Sequence, residues 1–252
     1  MIPEERIDKI KSLLSQKKHI GINELCKLLY CSKSTIRRDL IYLEKAGLVR
    51  RTRGGVSIIS NSTIEYSSYI RSIENKDKKI AICKKATEYL KDDMCLFLDS
   101  SSTVNYLCSF LSSFNNIKVI TNGLGAALAL NSLENVQVFV TGGELKSQSN
   151  SLLGEFGGEF INHFYSDLSI ISCKCLDESA AYEIDPSQAL IKSHMMKNSK
   201  KTILLCDSSK LGKSSFYKLG YLKDFNVIIT DKKPPTSIYS NIINEGCTIE
   251  YY

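Results

Sequence analysis

The chain has 252 residues, 43% of them hydrophobic, enough for one large domain or a small one followed by a medium one with a real core. No run of about 18 apolar residues occurs, which excludes a membrane-spanning helix, and Met1-Ile2-Pro3-Glu4-Glu5-Arg6 lacks the apolar centre of a signal peptide, so a cytoplasmic protein is expected. The net charge of +6 is unevenly placed: residues 1–60 carry 13 Lys/Arg against six Asp/Glu, whereas residues 61–252 carry 20 against 21.

A basic module on a neutral body points to a polyanion partner at one end. The nine cysteines include no CxxC pair, so neither a disulfide framework nor a zinc site is expected, and most should behave as small buried apolar groups.

The first helix is marked by Ile7, Ile10, Leu13 and Leu14 at spacings of three and four. Pro3 is tolerated near its start, and Lys17-Lys18-His19 place positive charge at its end. A second helix begins at Gly21, with Leu25, Leu28 and Leu29 as its buried face. After a break at Tyr30-Cys31, Ser32 is a good N-cap for a third helix whose apolar back is Ile36, Leu40 and Leu43. Ser34, Thr35, Arg37 and Arg38 fall on its other faces near the N-terminus, where a recognition helix presents donors to the major groove. Arginine can grip guanine O6 and N7 bidentately, and hydroxyls such as that of Ser32 suit phosphate. Gly47 supplies a C-cap. Residues 48–56 read as two short strands with a basic tip, a wing that would lay Arg50, Arg51 and Arg53 along a phosphate backbone.

The pattern Ser32-x-x-Thr35-Ile36-Arg37-Arg38-Asp39-Leu40, then Leu43-Glu44-x-x-Gly47 and Arg53-Gly54-Gly55, resembles the signature of DeoR/GlpR-type bacterial repressors. The resemblance implies that Arg37 and Arg38 contact DNA and that Asp39 orients a neighbouring arginine.

Residues 58–75, rich in Ser, Asn and Ile, suit a linker between a winged helix-turn-helix over 1–57 and an α/β domain over 76–252. A helix resumes by Lys76, with Ile80, Cys83, Ala86, Thr87 and Leu90 at helical spacing. Short apolar runs then alternate with helical stretches: 95–98, 119–120, 136–140, 168–171, 202–206 and 226–230. That alternation implies a largely parallel sheet, whose ligands bind beyond the carboxyl ends of the strands. Three loops fall there: Asp99-Ser100-Ser101-Ser102-Thr103, Thr141-Gly142-Gly143-Glu144-Leu145-Lys146 and Asp207-Ser208-Ser209-Lys210. Together their hydroxyls, free amides, glycines and cations suit a phosphorylated ligand.

The resemblance extends over nearly the whole chain and implies a sensor domain similar in fold to ribose-5-phosphate isomerases and CoA transferases. Carried over by position, it makes Asp99, Ser101, Ser102, Thr103, Thr121, Asn122, Gly142, Gly143, Lys146, Asp177, Lys192 and Lys210 effector-site candidates. Serine stands at 101 where the family usually has glycine, and lysine at 146 where arginine is common. The segment Ser172-Cys173-Lys174-Cys175 replaces one that usually contains glycine, and Lys174 there is a further candidate phosphate contact. The expected partners are double-stranded operator DNA, a small phosphorylated effector and further copies of the chain, as dimer or tetramer, with no cofactor, no metal and no membrane. Two rival functions remain: a sugar-phosphate isomerase or transferase, for which Asp177-Glu178 is only a fragment of the pentose-isomerase acidic motif, and a DNA-binding protein blind to any effector.

Overall fold

The computed structural model describes residues 2–17, 19–45, 49–58, 68–146 and 149–252. It forms two compact units, residues 1–70 and 71–252.

The first unit runs α1 (Pro3–Lys17), β1 (His19–Gly21), α2 (Ile22–Leu29), α3 (Lys33–Lys45), β2 (Val49–Thr52) and β3 (Gly55–Ile58). Ile10 and Leu14 of α1, Leu25 and Leu29 of α2, and Ile36, Leu40 and Leu43 of α3 meet Ile20, Val49 and Val56 in one small core. Each such fully buried side chain contributes about 1.5–3 kcal/mol. Tyr30 closes α2 in the left-handed conformation, φ 51°. The Ser32 hydroxyl then accepts from the Thr35 amide at 3.2 Å to start α3.

Two expectations for this unit are corrected. Leu28 is 46% exposed; the buried side of α2 is instead Leu25 and Leu29, flanked by Ile22 and Cys26. At about 100° per residue Leu28 lies well to the other side of Leu25 from Cys26, off the centre of that stripe. His19 does not end α1 but opens β1, an extra strand that pairs with β3 and makes the wing a three-stranded sheet of order β1-β3-β2. Gly55 permits this pairing, because a Cβ there would stand 2.8 Å from both the His19 ring and the Ile20 carbonyl. The cap expected at Gly47 lies outside the described residues.

The chain continues with α4 (Ser68–Ile73), α5 (Lys76–Ala86), β4 (Cys95–Leu98), α6 (Ser102–Asn105), β5 (Ile117–Thr121), α7 (Leu124–Leu130) and β6 (Val136–Val140). Next come β7 (Glu144–Lys146), β8 (Ser151–Leu153), α8 (Glu155–Asn162), β9 (Ser166–Ser172), β10 (Cys175–Leu176), β11 (Ala180–Glu183) and α9 (Pro186–Lys197). The last elements are β12 (Ser199–Leu205), β13 (Tyr217–Tyr221), β14 (Val227–Thr230), α10 (Thr236–Asn244) and β15 (Thr248–Tyr251). Of the expected connector, residues 59–67 lie outside the described residues and 68–73 are helical.

All six expected strands join β15 in a parallel seven-stranded sheet of order β15-β14-β12-β9-β4-β5-β6. Successive side chains point to opposite faces, so Leu96 and Leu98 enter one core with Ile82, Cys83, Ala86, Leu107 and Leu130. Phe97 enters the other, with Ile161, Ile191, Met195, Ile238 and Ile242. The result is three layers, helix on sheet on helix. The antiparallel pieces, β7-β8 and β10-β11-β13, were not read from the sequence.

The order of the sheet fixes where a ligand can sit. From β4 the chain moves outward through β5 and β6, then returns to place β9 on the other side of β4. The crevice between the carboxyl ends of β4 and β9 is therefore the topological switch point.

Candidate functional site

In the first unit α3 presents one polar face. Ser34, Arg37 and Arg38 are exposed and Thr35 half-buried, while Ile36, Leu40 and Leu43 face the core. Ser32 also hydrogen-bonds the hydroxyls of Ser34 (2.8 Å) and Thr35 (2.9 Å), gathering three hydroxyls at the start of the helix. Arg37 and Arg38 have no side-chain partner among the described residues, which leaves both guanidinium groups available for base edges or phosphates.

Asp39 behaves differently. It is 7% exposed and faces back to α1, where it takes Arg6 Nε at 2.5 Å and Nη2 at 3.0 Å. The arginine it orients is thus a scaffold arginine 33 residues away, neither Arg37 nor Arg38.

On the wing, Arg50 and Arg53 are exposed, Arg53 at the turn beside Gly54 (φ 90°). Arg51 is held: its Nε meets Glu44 Oε2 at 2.5 Å and its backbone amide donates to Glu44 Oε1 at 3.1 Å. Those bonds hold the Glu44 carboxyl below the usual range. Arg51 clamps β2 to α3 and is less free than Arg50 or Arg53 to meet a phosphate.

In the second unit the switch-point crevice is built around Asp99, which follows β4 and is fully buried. Its carboxylate accepts from the amides of Ser101 and Ser172, both at 3.0 Å, and pairs with Lys192 Nζ at 2.9 Å. Lys192 also reaches Glu183 and donates to the Ser172 carbonyl at 2.7 Å. Burial opposes its charge, but the two carboxylates outweigh that and hold its pKa above the ordinary lysine value. Asp99 and Lys192 thus tie β4, β9 and α9 together.

Lys210 donates to Ser172 Oγ at 2.9 Å and lies 3.9 Å from Asp207. Burial is the largest single influence and opposes its charge, but Asp207 together with Cys173, Cys206 and Glu183 outweighs it and raises the pKa. Lys174 is partly buried, and desolvation lowers its pKa. The segment Ser172 to Cys175 leaves the site rich in lysine: Ser172 is the hub that Asp99, Lys192 and Lys210 share.

A neutral network adjoins this cluster. Ser151 Oγ bonds Ser100 Oγ and Gln188 Nε2, each at 2.8 Å, and Asn122 Nδ2 reaches Ser100 Oγ at 3.4 Å and the Leu152 carbonyl at 3.2 Å. Ser100 belongs to the first of the three sequence-marked loops, whereas Ser151, Glu183 and Gln188 carry no signal in the sequence; the last two sit on β11 and α9.

The other candidates divide by exposure. Ser101 caps α6 by accepting from the Val104 amide at 3.1 Å, and Ser102 is half-buried beside it. Thr103, Thr121 and Asn122 are buried, and Thr121 Oγ1 accepts from the Gly123 amide at 3.0 Å. Gly142 and Gly143 lie on the exposed approach to β7. Gly143 has φ +124°, and a Cβ there would fall 2.2 Å from the Leu153 carbonyl oxygen. Lys146 pairs with Asp185, the N-cap of α9. Asp177 turns onto its own hairpin, taking the amides of Ser179 (2.8 Å) and Ala180 (3.0 Å) and the Tyr182 hydroxyl (2.8 Å). Its contacts do not run to the lysine cluster.

A winged helix-turn-helix with free arginines on its third helix, followed by a parallel α/β unit with a lysine-lined crevice, defines a DNA-binding transcriptional regulator with a sensing domain. Residues 6–62 match the DeoR-like helix-turn-helix domain and residues 74–232 the DeoR C terminal sensor domain. The chain belongs to the DeoR family. It is 31% identical to the HTH-type transcriptional regulator GolR of Listeria innocua over 99% of each chain. It is 27% identical to the glycerol-3-phosphate regulon repressor of Escherichia coli over 98% of each. A D-ribose-5-phosphate isomerase in complex with phospho-erythronic acid overlaps 54% of each chain with TM-score 0.42 and 14% identity. The families and relatives matched are regulators rather than enzymes. No described helix is long and apolar enough to cross a membrane.

Proposed function

We propose that this regulator is a cytoplasmic repressor that binds operator DNA as a homo-oligomer, dimer or tetramer, and is released by a small phosphorylated metabolite of the sugar-phosphate class. Arg37 and Arg38 read base edges, the Ser32, Ser34 and Thr35 hydroxyls and Arg50 and Arg53 hold phosphates, and Arg51 contributes through the wing it braces.

The observation that carries the effector half is the juxtaposition at the switch point. A lysine cluster centred on Ser172 stands beside a neutral network of Ser100, Asn122, Ser151 and Gln188. Lysine ammonium groups suit a phosphoryl group, and hydroxyl and amide side chains suit a polyol. Asp99 and Lys192 form the floor; Lys174, Lys210 and the Ser101–Ser102 turn are the groups placed to touch ligand. A ligand moves an equilibrium only by its differential affinity for the two states, so an effect of about 5–150-fold on DNA affinity is expected.

Fluorescence anisotropy on the protein's own upstream DNA at fixed salt, repeated with a panel of sugar phosphates, tests this reading. Release by one phosphorylated compound and not by its dephosphorylated form supports it. Tight, specific binding indifferent to every compound removes the effector half.

A further inference from the structure

Lys79 lies on α5 and is 4% exposed; with Lys192 it is one of two buried lysines among the described residues. Its position, one residue before the expected apolar stripe, gave no reason to place it in a site. Lysine is almost never fully buried without a paired partner, and Lys79 has no carboxylate within ion-pair distance among the described residues. Its ammonium group donates instead to two neutral oxygens, the Arg71 carbonyl and Ser102 Oγ, the latter at 3.1 Å. Ser102 opens α6, directly after the loop that follows β4, so Lys79 reaches the rim of the same crevice from the opposite side to Lys192.

The charged groups that face it are Lys210 and Asp207 from the loop after β12, and Glu74 and Arg71 from the segment before α5. Cys83 is the titratable neighbour on its own helix. Desolvation and the Lys210 charge together push Lys79 down to about 8, against the weaker pull of Asp207 and Glu74. Two ammonium groups thus face a crevice with one nearby carboxylate, Asp207, whose Oδ1 accepts from the Ser209 amide at 3.0 Å and whose Oδ2, 3.9 Å from Lys210, has no hydrogen-bond partner among the described residues. An arrangement of that kind is relieved by an anion between the cations.

We infer that Lys79 is a second cationic ligand for the effector's phosphoryl group, acting with Lys210 across the crevice and alongside the Ser102 hydroxyl. This rests on the effector reading above and adds a residue to it. The competing account is that Lys79 only ties the end of α4 to α6 through the Arg71 carbonyl.

Isothermal titration of the full chain with inorganic phosphate at pH 8.5, in two buffers of different ionisation enthalpy, separates these accounts. With Lys79 at about 8, roughly a quarter of the molecules carry its proton at that pH, and a bound dianion completes the protonation. Wild type is expected to take up about half to three-quarters of a proton per phosphate bound. Lys79→Met is expected to bind at least tenfold more weakly and without that proton, while Lys118→Met, at an exposed lysine near the start of β5, changes affinity less than twofold. If Lys79→Met fails to fold, Lys79→Arg serves: it should keep binding and lose the proton uptake, since a guanidinium stays charged. Phosphate binding that is equal in wild type and Lys79→Met, or proton uptake that survives in either variant, overturns the role of Lys79 and leaves the crevice reading standing. A wild type that takes up no phosphate overturns both.

Discussion

Asp39 sits inside the sequence motif that marks the recognition helix, yet its carboxylate faces away from the DNA-reading side and pairs with Arg6. Replacing Asp39 by Ala should therefore damage folding of the first unit before it touches base preference. The two side chains are only 10% and 8% exposed. Removing one member of such a pair leaves an uncompensated charge and typically costs 3–5 kcal/mol, and near the surface of a small module we expect about 3 kcal/mol. For a unit of this size that corresponds to a fall in Tm on the order of 12–24 °C. Replacing both partners, Arg6→Met with Asp39→Leu, should recover most of the loss, because no buried charge then remains. Urea denaturation followed by far-UV circular dichroism, with operator binding measured on the same samples below the transition, gives both quantities. An Asp39→Ala protein that unfolds like wild type but loses discrimination between operator and random DNA would refute the scaffold role and return Asp39 to the reading face.

The remaining predictions concern the wing, the crevice and one glycine. Arg37→Ala and Arg38→Ala should each cost about 1–3 kcal/mol of operator binding and blur base preference, whereas Arg50→Ala should weaken all sequences alike and reduce the salt slope by about one. Arg51→Ala should show a smaller salt effect than Arg50→Ala, because Glu44 already holds it; equal slopes for the two would contradict the clamp. Lys210→Ala should reduce release by the effector while leaving DNA affinity intact, which the anisotropy titration reads directly. Gly143→Ala should lower stability by about 1–3 kcal/mol, from the positive φ and the approach to the Leu153 carbonyl. Because the native Lys79 pKa is depressed to about 8, the unfolded chain binds more protons above that pH. Wild type should therefore gain on the order of 1–2 kcal/mol relative to Lys79→Met between pH 7.5 and 9.5, and no differential gain in urea midpoints would count against that depression.

Strong local periodicity made the architecture readable: the stripes through Ile10 and Leu14 or Ile36, Leu40 and Leu43, and the apolar runs at 95–98 or 226–230, each carry their own signal. Elements whose identity depends on a distant partner were silent. His19–Gly21 is a strand only because Gly55 lets β3 approach, and β7-β8 is a polar hairpin without an apolar run. Leu28 was misplaced because three leucines near one another fit a helical face about as well as the true set with Ile22 and Cys26. In the crevice, loops at strand ends could be picked out by their serines, glycines and lysines. Gln188, Glu183 and Lys79 could not, since what marks them out is contact with other elements of the fold, Gln188 with Ser151, Glu183 with Lys192 and Lys79 with Ser102. Arg51 looked like its neighbours in sequence, and only the fold showed which arginine Glu44 takes.

The two hydrophobic layers lie on either side of the sheet, while the polar groups of the crevice lie beyond the strand ends, on loops and helix rims. Most rim residues can change without opening a cavity in either layer, and the buried Asp99–Lys192 tie keeps the β4–β9 seam closed while they do. Preference for one metabolite over another is thus free to drift under selection at little expense to foldability, with the seam as the fixed point around which descendants of this chain can be retuned.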